Sequence, residues 1–144
     1  MLPRIVEYIN TNPRTQIVLV KDIAIMQDCV WLDLGKELSK YIQMVRNSNL
    51  LSALTWDKLN DLIGANTETD DAIGDYIALK NTNILLEPEL QIDVRSLLEQ
   101  WGKTQTIIFQ LNQNTVKEHN KFYLEKYDNR YYIDLEGLSY ILIE

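Results

Sequence analysis

The run Asp75 to Leu111, DYIALKNTNILLEPELQIDVRSLLEQWGKTQTIIFQL, places an apolar stretch, an amphipathic stretch and a second apolar stretch in succession. That order builds parallel pairing, because a crossover helix returns the chain to start a parallel neighbour. Tyr76 to Leu79 reads as the first strand and Thr104 to Leu111 as the second. Between them Leu90, Val94, Leu97, Leu98 and Trp101 recur at i, i+4, i+7, i+8 and i+11, one face of a helix. Glu87-Pro88-Glu89 can open this helix, with Asp93 as an alternative start, and Gly102 sits where a left-handed C-terminal cap is expected. An α/β fold with a mostly parallel sheet is the expectation.

The rest of the chain reads as packing around this unit. Leu2, Ile5, Val6 and Ile9 predict a short amphipathic helix over Leu2 to Asn10, stopped by Asn12-Pro13. Gln16 to Val20 and Cys29 to Leu34 are two apolar runs of strand type, separated only by KDIAIMQD. A parallel crossover with its helix takes at least about ten residues. The two strands are therefore either an antiparallel pair or lie apart in the sheet on a stretched connector. Leu34, Leu38, Tyr41, Ile42 and Val45 carry the next helical stripe. A further helix is predicted from Thr55 as N-cap to Gly64 as C-terminal cap, and Ala65 to Gly74 as a mobile acidic loop. Near the end, Lys121 to Tyr127 and Arg130 to Leu135 flank Asp128-Asn129, the spacing of a β-hairpin, and Leu138 to Ile143 is a last apolar strand.

At 144 residues with no linker or repeat, residues 1–144 are expected to form a single domain. The chain shows no run long enough to span a bilayer and no signal-peptide pattern, so a soluble, cytoplasmic protein without membrane contact is expected. One cysteine, Cys29, and one histidine, His119, cannot assemble a disulfide or a Cys/His zinc set. A formal net charge of −7 with scattered lysines and arginines argues against nucleic acid as a direct ligand.

Searches for catalytic patterns fail for definable reasons. A phosphate loop needs G-x-x-x-x-G-K-[ST] between strand and helix, so that backbone N–H groups wrap the phosphates. Gly35-Lys36 has that context, but Val30 holds the place of the first glycine and Glu37 that of the Ser/Thr. Gly102-Lys103-Thr104 runs from helix to strand, the wrong direction, with Leu97 at the first glycine position. His119 lies in a polar loop with no nucleophile elbow anywhere in the chain, and Cys29 starts an apolar strand where a buried, inert thiol is the ordinary case. Asp70, Asp71, Asp75, Glu87 and Glu89 are the carboxylates a metal site would use, although loop and helix-start acids ordinarily act as solvated charges or caps.

Two segments resemble a known family. WLDLGKELSKYI, Trp31 to Ile42, is similar to a strand followed by a leucine-glycine-x-glutamate-leucine-serine helix start, and Ala78 to Leu111 to a strand, an x-Pro-Glu-Leu helix opening and the next strand. Both resemble the small P-loop protein of type 3 phage-exclusion (BREX) defence systems. The resemblance implies a P-loop-like sheet with flanking helices and a C-terminal hairpin. It also exposes two departures: Lys80-Asn81 stands where the family has Asp-Asn, whose acid positions magnesium, and KDIAIMQD stands where the family has its glycine-rich loop and helix.

The resemblance and its departures imply a non-catalytic accessory or assembly subunit of a bacterial phage-defence system, without cofactor or metal, whose partners are other defence proteins or a second copy. Arg95, Glu99, Tyr123, Tyr127, Tyr131 and Tyr132 are the candidate interaction residues on helix face and hairpin. The competing readings are a metal-dependent hydrolase or nuclease built on the five loop carboxylates, and an acidic inhibitor that occupies a partner's DNA-binding surface.

Overall fold

A computed structural model describes residues 1–125 and 128–144 of the chain. In chain order, α1 (Pro3–Asn10), β1 (Ile17–Val20), β2 (Trp31–Asp33), α2 (Leu34–Val45) and α3 (Leu51–Ala65) form the first half. There follow β3 (Glu68–Asp70), β4 (Gly74–Lys80), α4 (Val94–Gly102), β5 (Thr106–Gln110), β6 (Val116–Glu118), β7 (Lys121–Glu125), β8 (Asp128–Asp134) and β9 (Ile141–Ile143). Strands β2, β4, β5, β1 and β9 lie side by side in that order, all parallel. β3 pairs antiparallel with the first half of β4, on the same flank that β2 occupies along the second half. The expected α/β class with a mostly parallel sheet and a C-terminal hairpin is the architecture found.

Alternation along the central strands decides what covers each face. Ile17 and Leu19, Ile77 and Leu79, and Ile107 and Phe109 point to one side, where α2, α3, α4 and the antiparallel β6-β7-β8 sheet close the larger core through Leu38, Leu59, Leu97, Phe122 and Ile133. Val18, Val20, Ala78 and Ile108 point to the other side, under Ile5 of α1, Met26 and Cys29. Strands apolar on both faces are the mark of a covered parallel sheet.

β1 and β2 lie apart, with β5 and β4 between them. The connector, residues 21–30, carries only a 3-10 turn at Ile23–Met26. It need span about 14 Å sideways, three strand spacings, which a chain of that length reaches without a helix.

Several local expectations are corrected. Helix α3 starts at Leu51, so Thr55 is an interior helical residue, fully buried, and not the N-cap. Gly64 is helical too; the end is closed at Asn66, whose amide nitrogen donates to the Leu62 carbonyl at 2.7 Å. Ala65 to Gly74 is no open loop: it holds β3 and a tight turn in which the Asp70 carboxylate accepts from the Ala72 and Ile73 N–H groups at 2.8 and 3.2 Å. Of the two starts expected for the crossover helix, the one at Asp93 is found: Pro88–Leu90 forms a separate 3-10 turn, and α4 begins after Asp93, which caps it through Ser96 N–H. Gly102 lies within α4; its missing Cβ matters because one would sit 3.3 Å from the Gln16 nitrogen and from Ile17 Cγ1, where β1 passes close by. In the hairpin, Phe122 opposite Ile133 sets the register by burying both, and this places Asp128 and Asn129 inside β8 rather than at the turn.

Candidate functional site

The carboxyl ends of parallel strands form the default binding edge of an α/β sheet, since the loops that follow them open to solvent above the core. Here three strand ends are tied by side chains. Asp33, the last residue of β2, caps α2 by accepting from Lys36 N–H at 3.0 Å. Its same oxygen accepts from Asn81 Nδ2 at 2.9 Å, and Asn81 follows the last residue of β4. The Asn81 N–H in turn donates to Gln110 Oε1 at 2.8 Å, at the end of β5. Asn81 takes a left-handed conformation (φ 55°), which asparagine tolerates better than most residues and which turns its amide sideways along the edge. Gly35 makes room for this turn: a Cβ there would lie 2.9 Å from the Asn81 carbonyl oxygen.

The electrostatics follow from these bonds. The Asn81 amide, then the Lys36 N–H, hold the Asp33 carboxyl below its ordinary value, with the charges of Lys80 and Lys36 adding to the effect. The strand-end carboxylate of β2 is therefore committed to capping and bridging. Lys80 ends β4, where the resemblance calls for an acid.

Beyond β1 the backbone is also spoken for. Lys21 N–H donates to the Ile143 carbonyl at 3.2 Å, and the Asp22 carboxylate accepts from Ala24 N–H at 3.0 Å to start the 3-10 turn. A carboxylate thus sits against the Ala24 N–H, in the segment where a phosphate cradle would aim its N–H groups at a ligand.

Two clefts open on this edge and share Asn81 and Asn83. One, of about 360 Å³, lies between the segments that follow β4 and β5; the other, of about 600 Å³, reaches from Asp33 and Lys36 to Glu87. Both volumes are within the range of small-ligand pockets, roughly 300–1,000 Å³.

No protein-family model matches the chain, and no curated protein or solved structure does. The site is accordingly read from its own geometry.

The residues singled out from sequence fall elsewhere. Arg95 Nη1 donates to the Asp134 carbonyl at 3.0 Å, bracing α4 against the end of β8, and Glu99 pairs with Lys103 at 3.6 Å along α4. Tyr123 and Tyr132 lie opposite each other on β7 and β8 with ring centres 5.6 Å apart, and Lys121 stands 5.3 Å over the Tyr132 ring. Tyr131 belongs to β8, and Tyr127 lies outside the described residues. Neither Tyr123 nor Tyr132 lines the two clefts of the carboxyl edge.

The five candidate metal carboxylates are split between the two ends of β4. Asp70 caps its turn and Asp75 accepts from Thr69 Oγ1 at 2.9 Å at the amino end, whereas Glu89 pairs with Arg46 at 3.2 Å beyond the carboxyl end. A seven-residue strand, about 20 Å, separates the groups. Among the described residues no three His, Cys, Asp or Glu side chains gather to hold a metal. Cys29 is buried, and burial with the Asp28 charge pushes its thiol up to about 11.

Sequence reasoning missed Asp33, Asn81 and Gln110 as a unit. A visible signal existed in the alternating amides Asn81-x-Asn83 and Gln110-x-Asn112-x-Asn114 that follow two central strands.

Proposed function

We propose that this chain is a non-catalytic accessory or assembly subunit of a bacterial phage-defence system, a cytoplasmic α/β protein with a P-loop-like core from which the nucleotide machinery has been lost. The observation that carries the proposal is the closure of the strand ends. After β1 the Asp22 carboxylate accepts from the Ala24 N–H and the Lys21 N–H is bonded to the Ile143 carbonyl, while the acid on β2 is bound by Asn81 and Lys36 N–H, beside a lysine at the end of β4. An edge built this way sets a carboxylate where a phosphate would lie and holds the strand-end acid in other bonds.

The defence context rests on the resemblance alone. Its two segments, Trp31 to Ile42 and Ala78 to Leu111, fold here into β2 with α2 and β4-α4-β5, one contiguous part of the sheet. The described residues contain no helix long and apolar enough to cross a membrane.

Thermal unfolding with ATP or ADP and magnesium tests the loss of nucleotide chemistry. No shift is expected up to millimolar nucleotide; a saturable rise in midpoint would overturn the proposal, because a ligand of the native state must stabilise it. Affinity capture from the host tests the assembly role: co-purifying defence proteins support it, and a chain that elutes alone refutes it.

A further inference from the structure

The smaller cleft at the carboxyl edge is lined by Asn81, Asn83, Gln110, Asn112, Gln113 and Asn114, with Thr82 and Leu111 between them, and no ionisable side chain takes part. We infer that it binds the main chain of an extended, uncharged peptide segment supplied by a partner protein. The inference rests on the reading of this edge as a docking surface and names what docks there.

A carboxamide carries one acceptor and one two-proton donor, the same pair of functions that each peptide unit presents. Three of the six are held in place by bonds inside the protein. Asn81 spends its nitrogen on Asp33, Gln110 its oxygen on Asn81 N–H, and Asn112 its oxygen on Asn114 N–H at 3.1 Å. Each of these bonds uses one proton or one lone pair, and it leaves the Asn81 oxygen available as an acceptor and the Gln110 and Asn112 nitrogens available as donors. Fixing these groups before binding removes ordering costs that a flexible surface would incur. Asn83, Gln113 and Asn114 lie exposed around them with amides free to adjust.

Other ligand classes fit less well. Phosphates and carboxylates find no cation in the lining. Bases also pair with asparagine and glutamine, but recognition of an unstacked base relies on an aromatic face, and this cleft has none. The net charge of −7 opposes a polynucleotide. Addition of a strand is excluded too, because β4 and β5 are interior strands with both edges paired, so side chains alone must read the peptide.

The test is titration of the isotopically labelled full chain with capped triglycine, which has peptide units and neither charge nor side chains, followed through the side-chain amide signals in ¹H–¹⁵N spectra. Saturable shifts are expected for Gln110 and Asn112, with Asn10 and Asn47 unmoved. The double variant Gln110→Glu, Asn112→Asp keeps both internal acceptors and removes both outward donors, so it should fold normally and lose about tenfold or more in affinity. Absence of saturable shifts, equal binding by the double variant, or the same shifts from uridine or glucose would overturn the inference. Peptide binding together with ATP stabilisation would remove the non-catalytic reading and leave the cleft's ligand standing; failure of both ligands would remove the peptide alone.

Discussion

Replacing two glycines by alanine should move stability in opposite directions, and the difference tests the structure where it departs from expectation. Gly64 lies exposed near the end of α3 with nothing within 4 Å of where a Cβ would stand, and its φ is not positive. Alanine there removes backbone freedom from the unfolded chain and adds helix propensity, a gain of about 0.5–1 kcal/mol. Gly35, in the first turn of α2, faces the Asn81 carbonyl, 2.9 Å from a built Cβ, with Asn81 Cβ at 3.0 Å. Both atoms belong to Asn81, its carbonyl oxygen and the Cβ fixed to its backbone, and neither is the far end of a flexible side chain, so alanine must push α2 away from the end of β4. Overpacking of this kind costs about 1–3 kcal/mol, against which the small helix gain at a first-turn position counts little. With a urea slope of about 2 kcal/mol/M, the Gly64→Ala midpoint should rise by about 0.25–0.5 M and the Gly35→Ala midpoint should fall by about 0.5–1.5 M. A fall for Gly64→Ala would mean a left-handed cap at that residue and refute the described end of α3. An unchanged Gly35→Ala would refute the close approach of α2 to Asn81.

Further outcomes follow from individual groups. Asp33 has its folded pKa lowered, so the stability it contributes is full above the unfolded value near 4 and is lost as pH falls through the folded value; Asp33→Asn should flatten the dependence of urea stability on pH below about 4 relative to the wild type, and an unaltered acid limb would count against the Asn81 bridge. Tyr8→Phe removes a hydroxyl that donates to the Thr15 carbonyl at 2.7 Å and meets Ser139 Oγ at 2.8 Å, so denaturation should show a loss of about 1–2 kcal/mol; a neutral result would show that water replaces it. Cys29, buried with its thiol pushed up to about 11, should react with a thiol reagent at pH 8 far more slowly in the native than in the unfolded protein, and equal rates would contradict its burial.

Long periodic elements were legible in the sequence because one physical signal dominates them. The stripe from Leu34 to Val45 coincides with α2, and the apolar runs at Ile17, Tyr76 and Thr106 are central strands whose two faces are both covered. Boundaries were less legible where burial overrode local chemistry. Thr55 has the composition of a cap, yet the helix extends past it to Leu51 and encloses its hydroxyl without a partner. Glycine misled twice in the same way: Gly64 and Gly102 occupy cap-like places, but the first lies in open space and the second admits strand β1. The acidic segment before β4 looked mobile because charge density resembles a loop. Its Glu68 to Asp70 stretch is instead an edge strand, where charges discourage pairing with other chains.

The strand-end site shows why local reading stops short. Asp33 to Asn81 and Asn81 to Gln110 are bonds between residues 48 and 29 positions apart, made only because β2, β4 and β5 end side by side. No window of sequence contains them. Lys80 ends β4, and the acid beside it comes from the neighbouring strand β2, committed to a helix cap and an asparagine. The edge thereby presents a row of amides, two of them tied by bonds between strand ends. A surface of that composition is suited to reading another chain's peptide groups, and the Gln110→Glu, Asn112→Asp variant separates that role from mere packing, since it alters what the cleft offers and leaves what holds it together.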